Sequence, residues 1–316
     1  MSDPANTRIL VTGGTGFIGR YVVDFLKADG YSPLVSAFNK KNIDPEIIPV
    51  DVTDSKRVED LVQNYRPQIV LHLAGVTPAH RLTSEIYENV NYLGTVNLLN
   101  ALESNGVDRV ILLGSASEYG NQPTPFCESM SLRPASPYAI SKVKANEFAL
   151  RKCASSGLPV TILRIFTAYG HGQPDKMFLS QLLRHARLNH RFKMSDGEQK
   201  RDFVHIDDVV GAVKTSMTAE NAVGRAINVA GGRGVRLRDV ARKAWELCDA
   251  DRQLLDIGGL EKSGDDRFDT EADISLASEI LNWRPGPGIL SEADDYSRLR
   301  DTIRKMTNDV SSSAGR

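Results

Sequence analysis

The sequence is short of several things, and each shortage removes a class of protein. It has 3 cysteines in 316 residues. Cys127, Cys153 and Cys248 are odd in number and far apart, so they give neither a disulfide framework nor a metal-ligand spacing. No metal is expected, and a reducing, cytoplasmic setting is favoured. Charge of one sign is not in excess, because 39 Lys plus Arg oppose 40 Asp plus Glu for a net charge of -1. The usual electrostatic argument for a nucleic-acid or membrane-surface partner therefore fails. No apolar run reaches the ~20 residues a bilayer span needs. The opening Met-Ser-Asp-Pro-Ala-Asn-Thr has no basic or apolar region of a secretory signal. No nucleic-acid or membrane partner is expected.

What is present is enough apolar residue, 41% of the chain, to fill a substantial core. Short apolar runs alternate with amphipathic stretches of helix length through the first half. Strands are predicted at Arg8–Thr12, Pro33–Phe38, Ile47–Val50, Gln68–Ala74, Arg109–Gly114 and Pro159–Leu163. Helices are predicted at Phe17–Ala28, Ser55–Asn64, Ser84–Glu103 and Pro137–Ser155. Near-continuous apolar strands separated by helices imply an α/β fold, a doubly wound parallel sheet of Rossmann type. Beyond Arg164 loop-forming clusters interrupt the rhythm, and helices at Met177–Asn189, Ile206–Met217, Leu237–Leu247 and Ile289–Lys305 predict a smaller C-terminal substrate-binding lobe. Trp245 and Trp283 are expected to pack inside it. The expected division is a dinucleotide-binding domain over 1–165, re-entered by later segments, a second lobe over 166–306, and a flexible tail over 307–316.

Arg8-Ile9-Leu10-Val11-Thr12 runs into Gly13-Gly14-Thr15-Gly16-Phe17-Ile18-Gly19 and then a helical pattern. Gly13 allows the tight turn, Gly16 lets the backbone approach a pyrophosphate, and Gly19 lets helix and strand approach closely. A P-loop is excluded, because Arg20-Tyr21 stands where Lys-Ser/Thr is required. NAD enzymes usually carry an acid at the end of the second strand to bind the adenosine ribose. Here the chain reads Ser36-Ala37-Phe38-Asn39-Lys40-Lys41, without a carboxylate and with two cations. Asn39 and Lys40 would accept a 2′-phosphate, so NADP(H) is favoured and NAD(H) is the alternative. Asp51 and Val52 are placed to meet the adenine.

Ser136-Pro137-Tyr138-Ala139-Ile140-Ser141-Lys142 opens a helix with a serine cap and proline in the first turn. Tyr138 and Lys142 share one face of it. A free tyrosine has a pKa of ~10. A nearby ammonium and a positive nicotinamide ring are expected to lower it toward the working range. Tyr138 could then exchange a proton with a sugar hydroxyl while hydride moves. Ser115, just past a strand end in Gly114-Ser115-Ala116-Ser117-Glu118-Tyr119-Gly120, is expected to hydrogen-bond the same oxygen. His72 lies in an apolar strand and is expected to be a hydrogen-bonded core residue.

Taken with these motifs, the chain resembles an extended short-chain dehydrogenase/reductase of the NAD(P)-dependent epimerase/dehydratase family, which acts on nucleotide sugars. The likeness runs from Ile9 to about Pro285. It implies that Leu73, Ala74 and Gly75 flank the cofactor, that Asn91 holds the cofactor and active-site loop, and that Phe166 lies against the cofactor. It also implies that Thr77, Thr167 and Ser115 face the sugar. Arg201 would grip the diphosphate, with Lys262 or Arg267 as a further cation, since the arginine fork suits phosphate. A nucleotide-diphosphate sugar is the implied partner, and a homodimer through Ser84–Glu103 and Pro137–Ser155 the implied assembly.

Departures from the family pattern narrow the reaction. The 4,6-dehydratases place threonine at the Ser115 position and glutamate two places later, where this chain has Ser117 and puts Glu118 one place further. Dehydration is therefore not expected. The family's Arg-x-Phe-Asn reads Arg164-Ile165-Phe166-Thr167, replacing an amide by a hydroxyl. The Arg133–Tyr138 and Ser195–Phe203 segments are similar to those of GDP-4-keto-6-deoxy-mannose reductases. The expected activity is NADP(H)-dependent reduction of an NDP-4-keto-6-deoxy sugar with Tyr138 as acid. An NAD-dependent 4-epimerase is the alternative, and a non-catalytic NADP(H) sensor is a third reading, disfavoured because Ser115, Tyr138 and Lys142 are all kept.

Overall fold

The computed structural model describes residues 4–38, 46–261 and 268–313. In chain order the elements are β1 (Ile9–Thr12), α1 (Phe17–Ala28), β2 (Leu34–Ala37), β3 (Ile47–Pro49), α2 (Ser55–Tyr65), β4 (Ile69–His72), α3 (Ser84–Tyr87), a π-helical stretch (Glu88–Leu93), α4 (Gly94–Glu103), β5 (Arg109–Ser115), α5 (Pro137–Ser156) and β6 (Val160–Ile165). The later elements are β7 (Thr167–Tyr169), α6 (Phe178–Arg187), β8 (Phe192–Met194), β9 (Lys200–His205), α7 (Ile206–Ser216), β10 (Arg225–Val229), β11 (Gly234–Arg236), α8 (Leu237–Leu247), β12 (Leu255–Ile257), α9 (Ser275–Leu281) and α10 (Ser297–Ser313).

Among the described residues, seven parallel strands form the main sheet in the order β10-β6-β5-β4-β1-β2-β3. This is the doubly wound sheet that the alternation predicts. Ile9, Leu10, Val11 and Thr12 of β1 are all buried, as a strand covered on both faces must be. One face packs α1, α7 and α9 through Val22, Leu26, Val209, Val213 and Ala277. The other packs α2, α4 and α5 through Val58, Val62, Leu98, Leu99 and Ala149. Strand order reverses beside β1, whose neighbours are β2 and β4, and ligands of such sheets lie at that reversal.

The chain returns to this sheet late. β10 pairs with β6, with Ile227 opposite Leu163, so the main sheet takes a strand from well past residue 165. A separate core gathers α6, α8 and β8 around Leu182, Leu183, Phe192 and Trp245. Trp283 departs from expectation, for it packs on the α1–α7 face of the main sheet and donates Nε1–H to the Asp208 carbonyl at 3.0 Å. The last helix also differs. It begins at Ser297 rather than Ile289 and continues to Ser313, so the tail expected from residue 307 is helical that far. The short strands β7, β8, β9, β11 and β12 and helix α9 were not anticipated, since three to seven residues carry too little periodicity to read.

Candidate active site

The glycine loop sits at the sheet's reversal, between β1 and β4. Gly13 has φ +69° and donates its N–H to the Ser36 carbonyl at 2.8 Å. A Cβ on Gly13 would come within 2.5 Å of the Ala74 nitrogen, so the turn after β1 and the chain after β4 touch backbone to backbone. A Cβ on Gly19 would strike the Gly13 carbonyl, which is how α1 approaches β1 so closely. Gly16 caps α1 without any side-chain hydrogen bond, and Thr15 and Gly16 are exposed. The first-turn amides and the positive end of the helix dipole therefore face an open edge, which fits a dinucleotide pyrophosphate. Phe17 and Ile18 are partly buried in the first turn of that helix.

Around the loop the predicted contacts divide. Leu73, Ala74 and Gly75 follow β4, with the Leu73–Ala74 backbone against Gly13. Asp51 accepts from the Thr53 amide at 2.9 Å and Val52 is buried against Gly94, which puts both at the end of β3 next to the cleft. Asn39, Lys40, Lys262 and Arg267 lie outside the described residues. Phe166 is committed elsewhere. Its ring packs with Tyr119, Phe126, Ala230 and Ala272, its N–H donates to the Val229 carbonyl and its carbonyl accepts from Ala168. Phe166 thus supports the strand end instead of offering its ring to a ligand.

Asn91 serves the loop and not a ligand directly. The π-helical turn buries it, and its amide donates to the Val76 carbonyl at 3.1 Å and to Ser141 Oγ at 3.1 Å, while Oδ1 accepts from the Val76 N–H at 2.8 Å. It thereby joins the segment after β4 to α5. Thr77 is exposed on that segment, and its carbonyl accepts from Tyr87 Oη at 3.3 Å. Tyr87 in turn meets the Tyr138 ring edge to face, centroids 5.8 Å apart.

Tyr138 and Lys142 are placed by the start of α5. Ser136 Oγ accepts from the Ala139 N–H at 3.2 Å, Pro137 occupies the first turn, and Gly157 ends the helix at φ +72°. Burial pushes the Tyr138 phenol up to about 12; the Ser115 hydroxyl, hydrogen-bonded to it, acts in the opposite sense, and the nearby Glu118 and Tyr87 push it further up. Lys142 is lowered by burial and held up in part by Glu118. The expected lowering of Tyr138 by Lys142 is therefore reversed in the protein by itself. A buried neutral phenol beside a carboxylate keeps its proton, which suits a group that donates one. Lys142 makes no hydrogen bond to another described residue, so its ammonium is available to a ligand's hydroxyls.

Behind Ser115 lies a network that the spacing of motifs did not reveal. Glu118 is fully buried and accepts from the Ser115 N–H at 2.6 Å, Asn146 Nδ2 at 2.8 Å and Arg164 Nε at 2.9 Å. Arg164 continues to Tyr119 Oη at 3.2 Å, which donates to Asn228 Oδ1 at 2.8 Å. Glu118 faces inward and is ion-paired with Arg164, so it is not placed to act as a base for elimination. The only signal in the sequence was a carboxylate in the turn just past a strand end, Ser115-Ala116-Ser117-Glu118. His72, as expected, is a hydrogen-bonded core residue: Nδ1 lies 2.7 Å from Thr12 Oγ1 and Nε2 3.1 Å from Thr95 Oγ1.

On the opposite wall Thr167 begins β7, half-buried. Arg201 on β9 donates to the carbonyls of Lys200 and Phe268, which brings it to the border of the segment carrying Lys262 and Arg267. The buried Asp202 carboxylate beside it accepts from the amides of Gly231, Gly232 and Ala272 at 2.7, 3.1 and 3.0 Å. Burial raises it to about 6, against those three hydrogen bonds. Two residues near the start of α1 reach the loop after β7 as well. Tyr21 Oη donates to the His171 carbonyl at 2.9 Å, and Arg20 donates to the Gly172 carbonyl. Gln173, a loop residue without an assigned role, is buried rather than solvated.

The pattern of the family described as NAD dependent epimerase/dehydratase matches residues 9–230, which span β1, the glycine loop, Ser115, Tyr138, Lys142 and β10. The chain belongs to that family. It is similar to the UDP-glucuronate 4-epimerase of Thermodesulfobacterium geofontis, 29% identical over 87% of this chain and 90% of that one. It is also similar to the GDP-6-deoxy-D-mannose reductase of Pseudomonas aeruginosa, 27% identical over 78% of this chain and 82% of that one. Among solved structures it matches the UDP-glucose 4-epimerase of Thermotoga maritima with UDP-glucose, with a TM-score of 0.86, 26% identity and coverage of 96% of this chain and 100% of that one. This epimerase/dehydratase family member is accordingly an NAD(P)-dependent nucleotide-sugar enzyme. Among the described residues no group of His, Cys, Asp and Glu could hold a metal ion, and no helix is long and apolar enough to cross a membrane.

Proposed function

We propose that this enzyme reduces the C4 carbonyl of an NDP-4-keto-6-deoxy sugar, with NADP(H) as the favoured cofactor. The observation that carries the reading is Tyr138, a neutral phenol raised to about 12, hydrogen-bonded to Ser115 and one helical turn from Lys142. The bound reduced nicotinamide supplies the hydride. Tyr138 gives its proton to the oxygen that becomes the C4 hydroxyl, and Ser115 orients that oxygen. Lys142 holds the ribose and offsets the negative charge that Tyr138 acquires. Thr77 and Thr167 contact the sugar, and Arg201 with Lys262 or Arg267 anchors the diphosphate. The lack of an acid in Ser36-Ala37-Phe38-Asn39-Lys40-Lys41 favours the 2′-phosphorylated cofactor. In the assembled enzyme two copies pair through the helical run from Ser84 to Glu103 and through α5, where Leu93 of the π-helical stretch and Ile140 of α5 are exposed.

A second reading, 4-epimerisation on bound NAD, is favoured by the names of most of the similar curated proteins, such as the UDP-glucose 4-epimerase of Mycolicibacterium smegmatis. The test is absorbance of the reduced nicotinamide while purified protein meets NADPH and a panel of NDP-4-keto-6-deoxy sugars. Stoichiometric loss with one sugar supports reduction. No loss with any, together with NAD released on denaturation and interconversion of two UDP-hexoses, replaces it with epimerisation.

A further inference from the structure

We propose that Glu118 is a positioning residue of the reaction site, its carboxylate holding Ser115 in register with the helix that carries Tyr138 and Lys142. The argument is geometric. Glu118 accepts one hydrogen bond from each of three elements: the Ser115 N–H at the end of β5, Asn146 two turns along α5 from Tyr138, and Arg164 near the end of β6. Gly114 leaves it room, since a Cβ there would stand 2.7 Å from Glu118 Oε1 and 2.9 Å from Asn146 Nδ2. Two strand ends and one helix are thus pinned to a single buried anion. The Ser115 hydroxyl is further held by the Ser117 amide at 3.2 Å and the Ser117 hydroxyl at 2.9 Å. The backbone of Ser115 has its place set from behind and the side chain from the side.

The charge has a consequence as well. Glu118 favours the protonated forms of both Tyr138 and Lys142. The groups that face this cluster are Lys142 and Asn146 from α5, Arg164 from β6, Ser115 and Ser117 from the end of β5, and Tyr87 from α3, which also raises Tyr138. Beyond Arg164 stand Tyr119, Glu128 and Asp273. Of these the Glu118 carboxylate alone bonds the Ser115 amide, so shortening it moves Ser115 while leaving the charge in place.

The inference rests on Tyr138 as the proton donor, and its test separates the two. Glu118→Asp keeps the charge but withdraws it by one methylene. It is expected to lower kcat about tenfold or more, while KM and NADPH binding stay within about twofold and the basic limb of the pH profile stays in place. The double variant Glu118→Gln/Arg164→Gln replaces the ion pair by two neutral amides. Its basic limb is expected to move to lower pH, because Tyr138 loses a negative neighbour. A folded Glu118→Asp protein with parental kcat overturns the proposal, as does a double variant whose basic limb has not moved. If the parent consumes NADPH with no keto sugar, the functional reading fails instead. The amide proton of Ser115 then decides: an upfield move in Glu118→Asp, with a change at the Tyr138 ring, supports positioning, and unchanged shifts overturn it.

Discussion

Beneath the cofactor loop His72 is held neutral between Thr12 and Thr95, whereas beneath Ser115 Glu118 is held charged against Arg164. Both groups are buried and both join strands to helices, but their chemistry differs. Thr95 donates its hydroxyl to the Asn91 carbonyl at 2.7 Å, so toward His72 it accepts, and His72 carries its proton on Nε2. Nδ1 then accepts from Thr12, whose oxygen is 3.4 Å from the Ala74 N–H. Burial, with Lys142 adding to it, drives His72 down to about 3. This network needs no charge, because what it fixes is backbone, the end of β1 and the chain after β4 beside the glycine loop. The Glu118 carboxylate instead favours the protonated forms of Tyr138 and Lys142, so its charge bears on both groups.

The comparison can be broken at the reacting group first. Tyr138→Phe removes the proton that Glu118 helps to hold and is expected to cut turnover about 10³-fold with NADPH binding largely retained. Steady-state rates beside cofactor fluorescence check this. Glu118→Ala comes next. It strands the Arg164 guanidinium in the interior and should cost about 3–5 kcal/mol in denaturant unfolding, whereas removing both charges together should cost less.

The neutral network is challenged with acid. His72 has a folded pKa near 3, below the 6.5 of the free imidazole, so the unfolded chain binds more protons between those values. The stability present above pH 6.5 is lost as the pH falls toward 3, by about 4–5 kcal/mol, and His72→Gln should flatten that slope in urea titrations. Smallest is Thr95→Val, which removes one partner of His72. It should cost ~1–2 kcal/mol and leave the pH dependence of turnover where it was, in contrast to the paired Glu118 and Arg164 variant.

Legibility followed the range of the interactions. The serine cap, Pro137 and Gly157 mark both ends of α5 within the strand-and-helix code, so Tyr138 and Lys142 could be placed on one helix face from their spacing. The turn at Gly13 to Gly19 was equally plain, because its backbone conformations need glycine. Phe166 was misjudged, since a strand-end phenylalanine looks the same whether its ring faces a ligand or the Tyr119–Phe126 stack. Glu118, Asn146 and Arg164 come from three separate segments, and only the pairing of β5 with β6 and the docking of α5 bring them together. Asp202 was passed over for the same reason: the amides it binds lie 29, 30 and 70 residues away.

By itself the sequence determined the parallel α/β architecture, the glycine turn and the placing of Tyr138 and Lys142 on one helix face, because alternation, glycine conformation and helical spacing are local properties. The tertiary structure alone decided that the Tyr138 phenol is pushed up instead of down. Its pKa answers to burial and to Glu118, and both exist only when distant segments exclude water from one place.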